Sequence, residues 1–254
     1  MLPIKDENPK PPGFKPKMTI ALIIVNVIVF FFEVAVTGQF FEFSNNNAAL
    51  LFYNWGAVPA CITGERFISI QEFQASCPAM PMLGLLSSTF LHGGLMHLGG
   101  NMLFLWIFGD NIELKFGRLK FLGIYLFWGI IAGLAHVAGD MNSSTPAVGA
   151  SGAISGVLGA YLVMFPRARV MTFLMMGFFW RMIHIPAKWF LPFWLIFQNI
   201  IPFLIGGGFG PVAYLAHIGG FAIGLATGYL YKKTHQSEFM YGSRYGSRYG
   251  WKGD

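Results

Sequence analysis

A serine and a histidine set into apolar, membrane-length segments are the residues of this chain best suited to chemistry. Ser151 stands in Gly149-Ala150-Ser151-Gly152 at the head of one segment, and His217 stands in Ala216-His217-Ile218-Gly219-Gly220 at the head of another. A hydroxyl and an imidazole can act as nucleophile and base once they come within hydrogen-bond reach. Polar groups in hydrocarbon are costly, so their presence there marks a candidate functional site. A second pair, His97 and Asn101, is four residues apart and shares one face of a helix. Their N–H groups are of the kind that stabilise an oxyanion. Each residue also has an ordinary reading. A membrane serine can bond back to its own backbone, and a histidine can satisfy a neighbouring helix.

The composition requires that these residues be positioned by membrane helices. The chain has 254 residues, 55% hydrophobic and 11% charged, with mean hydropathy +0.56. Soluble domains carry about 25% charged residues. Runs of about 20 apolar residues, the length that crosses a bilayer core, fall at roughly 18–36, 92–112, 119–138, 147–165, 189–206 and 211–231. The expected class is an all-α, polytopic six-helix bundle. The first run is rich in Phe (Phe30, Phe31, Phe32) and lacks a small-x-small cleavage site, so it reads as a retained helix rather than a signal peptide. Val170–Trp180 is apolar but too short to cross, and Arg181 and Pro186 close it. It is expected to lie at the interface.

Sixteen of the seventeen Lys and Arg residues then fall on one side of the membrane, leaving Arg66 opposite. By the positive-inside rule both termini are cytoplasmic. This topology also accounts for the +6 net charge, which in a soluble protein would hint at nucleic acid. Residues 1–17 form a cytoplasmic segment, 18–231 the membrane domain, and about 37–91 an outer loop. That loop holds both cysteines, Cys61 and Cys77, which an oxidising exterior would allow to pair; two free thiols remain the alternative. Residues 232–254 repeat Tyr-Gly-Ser-Arg and read as a disordered tail, with weak binding to anionic lipid as the alternative.

With 1.5 Å of rise per residue, His97 lies about 8 Å below the outer end of its helix, Ser151 about 6 Å and His217 about 9 Å. Glycines 149, 152, 156 and 159 make a small stripe on the fourth helix, and 220, 224 and 228 make one on the sixth. Such stripes let helix backbones approach closely, which would bring the His217 ring to the Ser151 hydroxyl. An imidazole kept from water favours its neutral form and can accept the serine proton. No carboxylate lies at matching depth to orient it, since Asp140 is in the outer loop and Asp110 and Glu113 are near the cytoplasm. A dyad is therefore expected. The oxyanion would meet the Ser151 N–H, His97 and Asn101.

With these residues in place, the chain resembles the rhomboid family of intramembrane serine proteases over roughly 1–231, and its prokaryotic members most closely. The resemblance rests on Ile4-Lys5-Asp6-Glu7-Asn8-Pro9, Phe90-Leu91-His92-Gly93-Gly94, His97-x-x-x-Asn101, the 149–152 motif, and His217 followed by Gly220 and Gly224. It implies Ser151 as nucleophile, His217 as base, and His97 with Asn101 as oxyanion-hole donors. It also implies single-span membrane proteins as substrates, cut near their outer end, and a mobile cap at 206–210. Two features depart from the family pattern. The outer loop has no Trp-Arg pair, and Ser155 replaces an aromatic residue four after the nucleophile, which makes it a rival nucleophile.

The expected setting is a prokaryotic plasma (inner) membrane, with lipid and transmembrane substrates as partners and no nucleic acid. No cofactor or metal is implied, because His97 and His217 lack carboxylate or thiolate companions. Two non-enzymatic readings compete. One is a rhomboid-like protein that binds and sorts membrane helices. The other is a transporter, which would need polar residues continuing to the cytoplasm; helices 2, 4 and 6 turn apolar or small below the site.

Overall fold

A computed structural model of the chain describes residues 1–70, 73–176, 179–205 and 212–235. The cap expected at 206–210 and most of the tail, 236–254, lie outside the described residues. Strand β1 (Leu2–Asp6) precedes helix α1 (Lys17–Thr37). The long loop folds into α2 (Asn46–Trp55), α3 (Pro59–Thr63), the hairpin β2 (Phe67–Ile70) and β3 (Phe73–Ser76), and the short α4 (Gly84–Ser87). Helices α5 (Leu95–Phe116), α6 (Arg118–Gly139) and α7 (Ser151–Met164) follow. A second hairpin, β4 (Arg169–Met176) and β5 (Phe179–Pro186), leads to α8 (Ala187–Leu195). A π-helical turn, Ile196–Ile200, joins α8 to α9 (Ile201–Ile205), and α10 (Tyr214–Thr234) completes the bundle.

The chain is mostly helical, and among the described residues helices overlie the apolar runs of the sequence, some with shifted starts. The all-α class is corrected in one respect, because two small antiparallel sheets accompany the helices. β1 pairs with β4, and β4 with β5; β2 pairs with β3. The short apolar run around 170–180 thus satisfies its backbone as a hairpin, to which the first residues of the chain add a strand. Cys61 and Cys77 form a disulfide with their Cα atoms 5.5 Å apart, so the pairing left open above is made.

Among the described residues, three segments have the length and composition to cross a membrane: Lys17–Thr37, Arg118–Gly139 and Ala187–Ile205, with mean hydropathies of 2.6, 1.9 and 1.4. Each turns large apolar side chains both ways: on α1, Ile28 at 62% and Phe31 and Phe32 at 58% exposure face outward, while Leu22 and Phe30 are buried. Helix α7 is different. It has only 14 residues, and eleven of them are buried. A helix that is apolar all round and buried belongs inside protein, so α7 is the central post, packed against α5, α6, α8 and α10.

Helices α7 and α10 meet backbone to backbone. A Cβ added at Gly220 would strike the carbonyl of Gly152, one at Gly224 the carbonyl of Gly156, and one at Gly159 the carbonyl of Phe221. Further along, a Cβ at Gly228 would lie 2.9 Å from the Ala160 Cα. The two glycine stripes therefore interlock over about three turns, the small-residue contact that membrane helices use in place of hydrophobic pressure.

The end of the bundle that bears β1 is fixed by a polar cluster. Asp6 accepts hydrogen bonds from Tyr161 (2.8 Å), Asn111 (2.8 Å) and Asn8 (3.0 Å), and Lys10 bridges to Asp110. Burial pushes the Asp6 carboxyl above its ordinary range, while these donors and the Lys10 charge pull it back. Glu113 caps α1, which has no side-chain cap of its own, by accepting from the N–H groups of Met18 (3.0 Å) and Thr19 (2.7 Å). At the same end the Tyr231 hydroxyl donates to the Lys115 carbonyl (2.6 Å). The start of α1 and the end of α10 thus lie together.

Gly224→Val should lower the unfolding midpoint of the protein in detergent, because the carbonyl it strikes belongs to a helix backbone that cannot turn aside. The expected cost is about 1–3 kcal/mol or more. Gly123→Ala on α6, where a Cβ meets nothing within 4 Å, should leave the midpoint equal or slightly raised. Equal midpoints for the two variants would show that Gly224 does not hold the contact.

Candidate active site

The backbone before α7 decides where its first residue sits. Ala57 and Ala147 exchange backbone hydrogen bonds of 3.0 and 2.9 Å, and the Gly149 N–H donates to the Ser88 carbonyl (2.8 Å). Gly149 then turns at φ +127°, a conformation that side chains rarely allow. The helix starts only at Ser151, not at about 147 as expected. Ser151 is therefore the first helical residue, and its place is set by the loop pairing before it rather than by helical rise. Its N–H is one of the first-turn donors that a helix leaves without an internal partner. The expected start of the second segment at 92 likewise moves to Leu95, after Gly94 at φ +148°.

Close packing of α7 against α10 brings Ser151 and His217 together. The Ser151 Oγ lies 2.7 Å from the His217 Nε2. His217 sits one turn before Gly220, whose α-hydrogens face the Gly152 carbonyl, so the polar pair stands directly above the first glycine contact. The other ring nitrogen, Nδ1, lies 2.6 Å from the Asn199 Oδ1. An amide oxygen only accepts, so Nδ1 carries the proton and Nε2 is left to accept from the serine hydroxyl. Sequence reasoning found no carboxylate partner for His217 and missed this amide. The signal was present, since Asn199 is a polar residue inside an apolar segment.

His97 and Asn101 face the same cavity. This space, about 290 Å³, is lined by Ser151, His217, His97 and Asn101 together with Phe104 and Trp194. The Nδ1 of His97 accepts from the Gly93 N–H (3.2 Å), which leaves its Nε2 as the protonated, donating nitrogen. A Cβ at Gly149 would lie 2.8 Å from that Nε2 and 3.4 Å from the Ser151 Oγ, so the absent side chain is what lets donor and hydroxyl flank one spot. Asn101 spends one amide N–H on the His97 carbonyl (3.1 Å) and has a second to offer.

Ser155, the rival nucleophile, is fully buried and donates to the Ser151 carbonyl at 2.8 Å. That is the back-bonding expected of a helical serine. No group of three or more His, Cys, Asp or Glu residues suited to a metal occurs among the described residues.

A family model described as "Rhomboid domain" matches residues 81–234. Rhomboid protein 1, mitochondrial, of Saccharomyces cerevisiae is 28% identical over 163 residues, 61% of this chain and 44% of that protein. Presenilin-associated rhomboid-like protein, mitochondrial, of Homo sapiens is 35% identical over 103 residues, 39% of this chain and 27% of that protein. Rhomboid protease GluP of Bacillus subtilis is 45% identical over 78 residues, 31% of this chain and 15% of that protein. The chain matches less than half the length of each of these relatives. The matched domain takes in more than half of the chain, from before α5 to the end of α10, and with it every residue that lines the cavity: the chain belongs to the rhomboid family and is an integral membrane protein.

Proposed function

We propose that the protein is an intramembrane serine endopeptidase that cleaves transmembrane segments near the outer leaflet. The observation that carries this reading is the 2.7 Å contact between Ser151 Oγ and His217 Nε2 at the wall of a cavity that also holds His97 and Asn101. His217 takes the hydroxyl proton as the Ser151 oxygen attacks the scissile carbonyl, and returns it to the leaving amine. The negative charge that develops on the carbonyl oxygen is met by the Ser151 N–H, the His97 Nε2–H and the Asn101 amide. The positive end of α7 adds to their field. Water then releases the acyl group. Behind Ser151 a smaller space of about 30 Å³, beside Ser88 and Thr89, has room for such a molecule.

The same reading takes all six helical segments as membrane spans, with both termini cytoplasmic and a prokaryotic plasma membrane as the setting. Its support is the distribution of Lys and Arg together with the shared end of α1 and α10. Substrates are single-span membrane proteins presented through the lipid. The mitochondrial relatives' names speak of those proteins' compartments.

In liposomes, the wild type should cut a membrane-spanning reporter, and Ser151→Ala and His217→Ala should not. Ser155→Ala should retain most of the rate, because its hydroxyl faces a backbone carbonyl. Loss in Ser155→Ala alone would assign the nucleophile to the wrong residue. If a folded wild type cut none of several reporters, non-catalytic binding of membrane helices would take the place of proteolysis.

His97→Ala and Asn101→Ala should each lower kcat by about 10²–10³, the cost of one oxyanion donor. Gly149→Ala should lose at least as much, since its Cβ would press on the His97 ring. Wild-type kcat in all three would remove the oxyanion assignment.

A further inference from the structure

Asn199 has an environment that ordinary helix geometry would not give it. Along α8 the buried side chains are Ala187, Phe190 and Leu191. Continuing at helical spacing from Leu191 would turn position 198 inward. Instead Gln198 is exposed and Asn199 is buried, at 1% exposure. The shift is the work of the π-helical turn, Ile196–Ile200, which inserts one extra residue into the helix. Such a turn weakens the backbone ladder and persists where the side chain it redirects has a use.

The redirected amide is oriented at both ends. Its Nδ2 donates to the Trp194 carbonyl (3.4 Å), which leaves Oδ1 facing the His217 Nδ1 at 2.6 Å. Trp194 also lends its ring, 6.2 Å from the His217 ring. A buried amide in an apolar segment needs partners to be tolerated; its N–H can find one in its own helix, as Asn26 does at the Leu22 carbonyl, but its oxygen needs a donor from elsewhere. Here the acceptor is spent on the imidazole.

We propose that Asn199 is the positioning residue of the active site: through Oδ1 it fixes the tautomer and ring orientation of His217, so that Nε2 presents its lone pair to Ser151. The site is then a Ser-His-Asn relay in which α7, α10 and the α8–α9 segment each contribute one member. An asparagine performs this service in Cys-His-Asn proteases on an unrelated fold. The proposal rests on the catalytic reading of Ser151 and His217. Asn199 lies behind the His217 ring and does not line the cavity, so its removal should act on the chemical step rather than on binding.

The test compares wild type, Asn199→Leu, Asn199→Asp, Ser151→Ala and His217→Ala in the same liposome cleavage assay, with a ¹⁵N-histidine spectrum of each purified protein. The His217 signal is identified by its disappearance in His217→Ala. In the wild type it should report Nδ1 protonated and Nε2 bare. Asn199→Leu should show a mixture of tautomers and a fall in kcat of roughly tenfold to a hundredfold, with KM within about twofold; this is the scale seen when the partner that fixes a functional imidazole is removed. Asn199→Asp keeps an acceptor oxygen whatever its charge, and should restore the tautomer and most of the rate. A wild-type spectrum with Nε2 protonated would overturn the proposal, whether or not the leucine variant folds. So would wild-type kcat in Asn199→Leu while Ser151→Ala and His217→Ala are inactive, and that result leaves the protease reading intact. Undiminished cleavage by Ser151→Ala would sink the protease reading, and the spectra would still report whether Asn199 sets the ring.

Discussion

The backbone contact between α7 and α10 is the constraint on which the rest depends. At Gly220 and Gly224 there is no room for a single carbon, because the facing atoms are the carbonyl oxygens of Gly152 and Gly156. That closeness sets the distance between two side chains, on Ser151 beside Gly152 and on His217 one turn before Gly220. A methyl group anywhere in the contact would force the helices apart, and the hydrogen bond at 2.7 Å would open with them. The surrounding helices hold the pair in place: the Trp128 ring packs over Gly156, and its N–H donates to Thr227 on α10 (3.0 Å).

A short, enclosed α7 has a second consequence. A helix that faced lipid would need the full bilayer thickness, and its first turn would lie at the surface. Because α7 is enclosed by protein, the backbone leading to it is paired within the protein, Ala147 with Ala57 and the Gly149 N–H with the Ser88 carbonyl. Unpaired N–H groups and the positive end of the helix are thereby delivered to a recessed cavity. In the proposed reaction, with less water to screen them, they would act on developing charge more strongly than at an exposed helix end.

Much of this was legible in the sequence because it leaves a compositional mark. The six segments show as apolar runs, the glycine stripes by their spacing, and Ser151, His217, His97 and Asn101 as polar residues where polarity is costly. What was hidden depends on departures from regular geometry. Asn199 reaches the site through a π turn, and a strict 3.6-residue period points to Gln198 instead. The start of α7 at Ser151 depends on a backbone turn at Gly149, whereas hydropathy runs unbroken through residues 147–150. The three-stranded sheet joins residues 2–6 to residues 169–186, a pairing between distant segments that no local pattern reports.

In the proposed reaction the two histidines of the cavity would serve opposite ends of one chemical step. Both are imidazoles in nearly the same place, and each has one nitrogen turned toward the space where a carbonyl would sit. Their second nitrogens are held differently. The Nδ1 of His97 accepts a backbone N–H from Gly93, so its Nε2 must donate; the Nδ1 of His217 donates to Asn199, so its Nε2 must accept. Donor and base are thus distinguished by partners on the far side of each ring, not by the rings themselves. Giving either ring the other's kind of partner would leave two bases or two donors facing the cavity, and neither arrangement could both take a proton from Ser151 and stabilise the oxyanion of the proposed reaction.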